Sequence, residues 1–334
     1  ESEDVVVAYR ATDGTASASS TLTITVSGAN DAPVAVADSD TVGEDAGSVT
    51  GNVLANDSDV DVEGLVVDQV SSGATSCSVG SECVLAKGRV TVAADGAFSF
   101  SPDGDFESLD GGESEDVVVA YRAKDGTASA SSTLTITVSG ANDAPIVTAG
   151  GGTSNFTEGG GPVAVAPALT VDDVDDSTLA AATVQITGGL VAAQDALAFV
   201  NDDGATYGNV AAAYTAGSGL LTLTSAGATA TIAQWRSALR AVTYANSSDT
   251  PDTSARTVTF VADDGTNTSA PTMRQVSVGG TDDAPIVTPT AGALAYADGS
   301  GAVALDAALE LTDADSANLT GATVQITGGY AEGE

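Results

Sequence analysis

Histidine is absent from this 334-residue sequence, and basic residues are scarce. Without His the chain lacks the usual general base, the usual zinc ligand and every Ser-His or Cys-His nucleophile pair. Only 9 Lys and Arg stand against 46 Asp and Glu, which gives a formal net charge of -37. Such a chain repels nucleic acid and anionic membrane surfaces. We therefore expect no enzyme and no nucleic-acid partner.

Long apolar runs are also missing. No stretch approaches the roughly 18 apolar residues needed to cross a bilayer, so we expect no membrane insertion by this segment. No signal peptide is visible, but the chain starts without Met and in mid-domain, which we interpret as a window from a longer protein. Aromatic residues are rare, whereas Gly is frequent and Val and Thr recur in short alternating runs. This composition is typical of small β-sandwiches with many turns.

The acidic residues concentrate beside a motif that occurs three times. It reads GANDAP at 28–33 and at 140–145, and GTDDAP at 280–285, each time between two strand-like runs. We interpret the three copies as junctions between domains of a rod. Uniform acidity would also suit a soluble surface in salty surroundings, and that alternative stays open. The clustering beside the junctions favours cation binding.

Two kinds of repeat define the domain organisation. Residues 1–33 recur at 113–145 with Lys124 in place of Thr12 as the only change, and both APIVT and TVQITGG of 144–189 recur at 284–329. Near-identity of this extent indicates recent duplication in a tandem array. The predicted domains are the end of one domain at 1–30, a complete shorter domain at 31–142, a complete longer domain at 143–282, and the start of a further copy at 283–334.

Alternation of apolar and polar residues predicts an all-β chain with one helix. The predicted strands are 34–37, 64–70, 83–85, 89–93, 97–101, 116–122 and 133–138 in the shorter domain, and 163–165, 183–187, 198–200, 220–224, 257–262 and 274–278 in the longer one. The helix is predicted at 232–242, where apolar residues share one face, with Thr231 or Thr229 as its cap. Its Trp235 is expected to pack the helix onto a sheet.

Oxygen-bearing side chains recur in four kinds of loop. These are an early Glu, a run of alternating Asp, the Asp of an Asp-Gly turn, and the junction itself. Calcium takes six to eight oxygen ligands from such groups, at about 2.3–2.6 Å. Alternating Asp places two carboxylates on the same side of an extended loop, where they can hold one ion. The same residues also suit turns and caps alone, so both interpretations stay open.

This order of motifs resembles cadherins and the cadherin-like tandem domains of giant bacterial (RTX-type) surface adhesins. The matching features are the early Glu, the Asp-x-Asp loop, the turn at 123–126 or 262–265, and the junctions. The shorter domain more specifically resembles the VCBS-type repeat through GNVLANDSD, DGAFSFSP and YRAKDG, and the longer one resembles its partner repeat through AQWRSALRAVTY. The cadherin Asp-Arg-Glu segment has no match, which predicts one or two ions per junction.

The resemblance implies tandem Ig-like or cadherin-like β-sandwiches in a linear array, outside the cell at the bacterial surface. It implies Ca²⁺ at three junctions. The implied ligands are Asn30, Asp31, Asp57, Asp59 and Asp125 at junction one, Glu44, Asn142, Asp143, Asp173, Asp175 and Asp264 at junction two, and Glu158, Asp282, Asp283, Asp313 and Asp315 at junction three. The implied function is a stalk segment of an adhesin in cell-surface or biofilm adhesion. Its partners would be the adjacent domains of the same long chain.

Three further expectations complete the prediction. Cys77 and Cys83 flank a short polar loop and suit a disulfide, with a free pair as the alternative. Paired carboxylates serve glycosidases, but a catalytic pair would not normally be copied into every repeat. Two alternatives to the stalk stay open, namely a self-assembling filament and a glycan- or protein-binding module. The module would need a pocket lined by the aromatic residues Tyr207, Tyr214, Trp235 and Tyr244.

Overall fold

A computed structural model describes residues 1–61, 64–297 and 299–329. The chain divides into two compact units, Glu1–Asp143 and Ala144–Glu334. Both consist mainly of β-strands, as predicted. Each unit is described by itself.

The first unit contains eleven strands among its described residues. They are β1 (Ser2–Thr12), β2 (Ser17–Ser27), β3 (Asp38–Gly43), β4 (Val49–Asn52), β5 (Val66–Ser72), β6 (Thr75–Cys77), β7 (Cys83–Val84), β8 (Arg89–Val92), β9 (Ala97–Ser101), β10 (Ser114–Lys124) and β11 (Ser129–Ser139). Strands β3 to β11 form a sandwich of a five-stranded sheet, in the order β3-β11-β10-β5-β6, and a four-stranded sheet, in the order β4-β9-β8-β7. Alternate residues of β10 and β11 face the core between the sheets, where Val119 and Ile136 are fully buried with Phe100.

The hairpin β1–β2 repeats the sequence of β10–β11 in the same register, with Ser2 opposite Ser27 as Ser114 is opposite Ser139. Its apolar face is exposed, however, and Val7 is 45% exposed where its equivalent Val119 is 0% exposed. The alternation and the Asp-Gly turn therefore determine the hairpin locally. Its burial is determined by the strands of the sandwich.

The second unit contains thirteen strands among its described residues. They are β12 (Ile146–Thr148), β13 (Thr153–Thr157), β14 (Val163–Ala164), β15 (Thr170–Asp172), β16 (Ala181–Gly188), β17 (Asp195–Ala198), β18 (Val210–Thr215), β19 (Leu220–Ser225), β20 (Thr243–Asn246), β21 (Arg256–Asp263), β22 (Thr272–Gly279), β23 (Ile286–Thr288) and β24 (Glu310–Thr312). The helices are α1 (Gly204–Tyr207), α2 (Ile232–Arg240) and a short 3₁₀-helix (Ala216–Ser218). A six-stranded sheet, β13-β22-β21-β16-β19-β18, packs with smaller sheets that include β14-β20-β17.

The predicted helix is confirmed as α2, with Thr231 as its cap. The Thr231 hydroxyl accepts a hydrogen bond from the Gln234 backbone N–H, and the Gln234 side chain accepts one from the Thr231 N–H, which completes a capping box. Trp235 is fully buried, and its indole N–H donates to the Leu179 carbonyl at 2.9 Å. The helix thus packs against the sheets through its Trp, as expected.

Two predicted strands are wrong. Residues 34–37 form one isolated bridge, between Val34 and Ser58, and the first strand of the sandwich begins at Asp38. Here the backbone N–H of Val36 donates to the Asp57 carboxylate, so a side chain replaces a ladder partner. In the second case the strand runs over Asp195–Ala198 and not over 198–200, because the polar Asp195 is drawn into the core by buried partners.

The predicted disulfide is confirmed between Cys77 and Cys83, whose Cα atoms are 5.5 Å apart. Cys77 ends β6, an edge of the five-stranded sheet, and Cys83 begins β7, an edge of the four-stranded sheet. The bond therefore joins the two sheets at one open side of the sandwich.

Candidate metal centres

Junction one brings four of its predicted residues close to the first sandwich. The Asn30 side-chain amide donates to Oδ2 of Asp125 at 3.0 Å, and the Asp31 N–H donates to Oδ2 of Asp61 at 2.7 Å. The Asp61 N–H in turn donates to Oδ1 of Asp59 at 2.8 Å. Oδ2 of Asp59 is buried and, among the described residues, has no hydrogen-bond partner.

The hydrogen bond inside the Asp-x-Asp loop shows which residues of the three loops correspond. It joins the Asp61 N–H to Asp59, the Asp175 N–H to Asp173 at 3.3 Å, and the Asp315 N–H to Asp313 at 3.2 Å. The Asp31–Asp61 contact also recurs, since the Asp283 N–H donates to Oδ2 of Asp315 at 3.1 Å. Asp61 therefore belongs to the candidate site, although the sequence analysis omitted it.

Asp57 lies apart from this set. Its Oδ1 accepts the Val36 N–H at 2.7 Å, and its Oδ2 lies 3.1 Å from the Tyr121 hydroxyl, which is also 3.0 Å from Oδ2 of Asp38. Burial, then the Asp57 carboxylate, raises the pKa of Asp38, against the opposing hydrogen bond of Tyr121. Asp57 thus holds the segment before β3 in place.

The Asp of each Asp-Gly turn uses one oxygen for the turn. Oδ1 of Asp125 accepts the N–H groups of Thr127 and Ala128 at 2.6 and 2.7 Å, while its Oδ2 accepts the Asn30 amide. The Asn30 hydrogen bond, followed by that of Thr127, lowers the pKa of Asp125. Turn formation and a role at the junction are therefore compatible in one carboxylate.

The exit of the shorter domain is built around Glu44, which is 3% exposed. Its N–H donates to the Ser139 carbonyl at 3.0 Å, and its Oε1 accepts the Ala141 N–H at 2.6 Å. Its Oε2 is buried with no hydrogen-bond partner in the described part of the chain. Burial raises the pKa of Glu44, and the carboxylates of Glu107 and Asp143 raise it further, against the Ala141 hydrogen bond.

Three acids converge beside Glu44. Carboxylate oxygens of Asp45, Glu107 and Asp143 all lie within 4.8 Å of one another. Burial, then Asp143, raises the pKa of Glu107. Only Asp143 was predicted. The sequence feature that could have revealed Glu107 is the neighbouring Phe106. This aromatic residue stands in an acidic loop, and in the structure it is fully buried and anchors the loop to the core.

The entrance of the longer domain holds a second cluster. Carboxylate oxygens of Asp173, Asp176 and Asp264 lie within 4.8 Å of one another, and Asp176 was not predicted. Oδ2 of Asp173 is buried and has no hydrogen-bond partner among residues 1–61, 64–297 and 299–329. Burial, then the hydrogen bond with Asp175, raises the pKa of Asp173.

The exit of the longer domain repeats the arrangement at Glu44. The Glu158 N–H donates to the Gly279 carbonyl at 2.9 Å, its Oε2 accepts the Thr281 N–H at 2.9 Å, and its Oε1 is buried without a hydrogen-bond partner among the described residues. Oxygens of Glu158, Asp249 and Asp283 lie within 4.8 Å of one another. Burial, then Glu158, raises the pKa of Asp283.

The remaining junction residues lie at the same places. The Asn142 amide donates to the Asp143 carbonyl at 2.7 Å, as Asn30 does to Asp31. Asp282 lines a cavity of about 460 Å³ together with Glu158. Within each unit the structure therefore brings the predicted residues together, apart from Asp57, and adds acids that sequence reasoning missed: Asp45, Asp61, Glu107, Asp176 and Asp249.

Residues 30–140 match the family profile of the bacterial cadherin-like domain. This part of the chain is a bacterial cadherin-like domain. Such domains are typical of extracellular repeat modules. Among the described helices, none is long and apolar enough to cross a membrane.

Several solved structures show weak likeness to most of the chain. Extracellular cadherin domains 1–4 of protocadherin gamma B7 share 12% identity over 94% of this chain and 67% of their own, with a TM-score of 0.36. Domains EC1-2 of human protocadherin-24 share 14% sequence identity with this chain. The match covers 73% of this chain and 94% of the protocadherin chain, with a TM-score of 0.34. An endo-fucoidan hydrolase of glycoside hydrolase family 107 shares 12% sequence identity. The match covers 84% of this chain and 34% of the hydrolase, with a TM-score of 0.25. These values are too low to support an inference. No curated protein matches the chain.

The donor sets of the cadherin-like domain and of the longer domain fit a hard cation. Every clustered group is a carboxylate, and His is absent from the chain. One carboxylate oxygen each of Glu44, Asp59 and Glu158 is buried and accepts no hydrogen bond from the described residues. A buried, unpaired carboxylate is costly unless a cation neutralises it. Calcium, with its preference for many oxygen ligands, suits this chemistry.

The aromatic pocket required by a glycan-binding module is not formed. Trp235 and Tyr244 are fully buried, and Tyr207 and Tyr214 pack against the same core. The Tyr244 hydroxyl donates to Asp195 in the interior. These rings stabilise the sandwich, which leaves no stacking surface among them.

Proposed function

We propose that this chain is a non-catalytic stalk segment of a large extracellular bacterial adhesin, in which calcium stiffens the junctions between domains. The proposal is carried by one repeated observation. A Glu that directly follows a strand accepts the backbone N–H of the junction, as Glu44 does from Ala141 and Glu158 from Thr281, and its other carboxylate oxygen is buried beside further acids. Its partners would be the adjacent domains of the same long chain, at the bacterial cell surface or in a biofilm.

The residues themselves explain the proposed effect of the metal. At the exit of the cadherin-like domain, Glu44, Asp45, Glu107 and Asp143 would hold an ion, and at the exit of the longer domain, Glu158, Asp249, Asp283 and Asp315 would do so. Calcium supplies positive charge at these points. Without it the carboxylates repel one another, and the junctions lose a constraint. Extracellular modules bind calcium with dissociation constants of about 10⁻⁴–10⁻³ M, so millimolar calcium would keep the stalk rigid.

The test is small-angle X-ray scattering of the full chain, in excess chelator and in about 2 mM calcium. We expect the longest dimension to increase with calcium and the profile to become rod-like. A double variant, Glu44→Gln with Glu158→Gln, should lose most of this response. The matched control removes two exposed carboxylates that belong to none of the clusters, Asp116→Asn with Asp202→Asn, and should keep the response. Coinciding profiles of the native chain in chelator and calcium would refute calcium stiffening.

A filament subunit is the second candidate function, and one observation favours it. The apolar face of β1–β2 is exposed, although the identical face of β10–β11 is buried. A second chain could cover that face. Sedimentation velocity over a hundredfold range of protein concentration separates the two proposals. A constant sedimentation coefficient supports the stalk, whereas growth into long species supports the filament.

A further inference from the structure

In each complete sandwich the last strand lies beside a strand from the start of the domain and runs parallel to it: the first strand, β3, in the cadherin-like domain, and the second, β13, in the longer domain, where β12 comes before it. In the cadherin-like domain, β3 pairs with β11 from Asp38 opposite Leu134 to Gly43 opposite Ser139. In the longer domain, β13 pairs with β22 from Thr153 opposite Gln275 to Thr157 opposite Gly279. The two domains differ in length and sequence, yet they share this pairing. Every other strand pair in the described sheets is antiparallel.

Both parallel pairs continue to the last residue before the junction. The Glu44 N–H donates to the Ser139 carbonyl at 3.0 Å, and the Ser139 hydroxyl donates to the Val42 carbonyl at 3.3 Å. In the longer domain the Glu158 N–H donates to the Gly279 carbonyl at 2.9 Å. Parallel ladders have evenly spaced bonds. The bonds of each pair can therefore share a load along the strands.

Burial protects one side of each pair from water. Val42 and Val138 of the cadherin-like domain are 7% and 0% exposed, and Val276 and Val278 of the longer domain are 0% and 5% exposed. The rest of β3 is polar, with the sequence Asp-Ser-Asp-Thr before Val42. This strand contributes few apolar side chains to the core, so its backbone pairing is its main contribution to the fold.

The direction of the strands determines how tension acts on them. Tension along the chain pulls β3 or β13 from its N-terminal end and its partner, β11 or β22, from the C-terminal end. Because the strands are parallel, these forces slide one strand along the other. All bonds of the pair are then loaded together. If the strands were antiparallel, the two forces would act at the same end and open the bonds one after another.

We propose that each complete domain is a load-bearing element, in which the parallel pair β3–β11 or β13–β22 resists tension by shear. The proposal adds a mechanical role to the stalk function, on which its biological purpose rests. The resistance itself is a property of the single domain. It does not require calcium.

Optical tweezers on the full chain test this proposal, with DNA handles on engineered cysteines and excess chelator throughout. The native cysteines are engaged in the disulfide and take no handle. Handles at Ala32→Cys and Ala141→Cys load the cadherin-like domain in shear. Handles at Ala32→Cys and Thr127→Cys load it from one end, because Thr127 lies in the β10–β11 turn, beyond the N-terminal end of the parallel pair. All three positions are exposed.

We expect the shear direction to need at least about twice the unfolding force of the other direction, since the bonds break together and not in sequence. Unfolding between positions 32 and 141 should release about 350 Å of chain, given about 3.5 Å per residue. That length identifies the event as unfolding of this domain with its disulfide intact. Equal forces in the two directions, or a larger force for Ala32 and Thr127, would overturn the proposal.

The longer domain provides an independent replicate if a handle variant of the first fails to fold. Ala144→Cys with Thr281→Cys first loads the three-residue pair β12–β15 and then β13–β22 in shear, and Ala144→Cys with Thr266→Cys loads β13–β22 from one end. The fluorescence of Trp235 verifies that these variants are folded. The two proposals can fail independently. If the scattering profiles do not depend on calcium, the stalk function fails, but the difference in unfolding force between the two pulling directions, measured in chelator, is unaffected.

Discussion

Replacing Glu158 with Gln should leave the free energy of unfolding equal or higher in chelator, but should reduce the stabilisation that calcium provides. These opposite effects test whether Glu158 binds the metal. Glu158 contributes one of three carboxylates whose oxygens lie within 4.8 Å of one another. Its Oε2 accepts the Thr281 N–H, and its Oε1 is buried without a hydrogen-bond donor among the described residues. Gln keeps an acceptor for Thr281 but removes one negative charge.

In chelator the substitution relieves repulsion. Two charges 4.8 Å apart repel by about 1 kcal/mol in water and about 3.5 kcal/mol at an effective dielectric constant of 20. Salt screening and the exposure of Asp249 keep the value near the lower figure. The hydrogen bond to Thr281 weakens by about 1 kcal/mol when its acceptor becomes neutral. We therefore expect the free energy of unfolding to stay equal or rise by up to about 1 kcal/mol.

In calcium the same substitution would remove one of the proposed ligands. A site with a dissociation constant of about 0.1 mM contributes about 2.7 kcal/mol at 10 mM calcium, and a tenfold weaker site contributes about 1.4 kcal/mol. The calcium-induced gain in stability should therefore fall by about half.

The assay is urea unfolding followed by fluorescence of Trp235, which is the only Trp and lies in the core of the same unit. Asp202→Asn is the control, because it removes an exposed carboxylate outside the cluster. A variant that is destabilised in chelator and gains as much from calcium as the native chain would refute a metal role for Glu158. Glu158 would then be a structural cap of the junction.

Three further predictions concern other parts of the fold. Asp61→Asn should weaken calcium binding at junction one about tenfold in calorimetric titration, whereas Asp57→Asn should leave the affinity unchanged and lower stability by about 1–2 kcal/mol, because Asp57 accepts local hydrogen bonds. Asp195→Asn should lower the stability of the longer domain by about 3–5 kcal/mol in urea unfolding, because it removes the buried carboxylate of the pair with Arg256 and leaves only the exposed Asp252 at 3.9 Å. Replacing Cys77 and Cys83 together with Ser should lower the stability of the cadherin-like domain by about 2 kcal/mol, measured by calorimetry in chelator.

The strands that sequence reasoning found are those in which local pattern and packing agree. Strand β10 alternates strictly, and the structure buries Val117, Val119 and Tyr121 while Val118 remains exposed. The Asp-Gly turn after it closes the hairpin with β11. Such strands can be predicted because one face supplies the core.

The strands that were missed are mostly short or polar. The predicted residues 34–37 have two apolar residues on an exposed face, with Val34 60% and Val36 44% exposed, whereas the observed β3 is stabilised by its pairing with β11. Pairing between segments about a hundred residues apart leaves no periodicity in either segment. Parallel partners of this kind need the tertiary structure.

The residues of the candidate site also fall into two groups, those that the sequence predicts and those that only the fold reveals. Motif order located Glu44, Asp143 and Glu158, because these positions recur at fixed places relative to strands and junctions. Glu107 and Asp249 lie in loops whose sequences differ between the two domains, and the fold alone brings them beside the junction acids. The cadherin Asp-Arg-Glu segment has no match in this sequence, so motif order points to no further acids.

One structural relation links the two proposals. Glu44 directly follows β3, and its carboxylate accepts the N–H of Ala141, which lies two residues after the end of β11 at Ser139. A cation held by Glu44 and Asp143 would therefore connect the end of the first strand to the chain that leaves the last strand. Tension that slides these strands would have to break that connection as well. Calcium should consequently raise the unfolding force between positions 32 and 141, and leave the force between 32 and 127 nearly unchanged, because peeling starts at the opposite end of the pair.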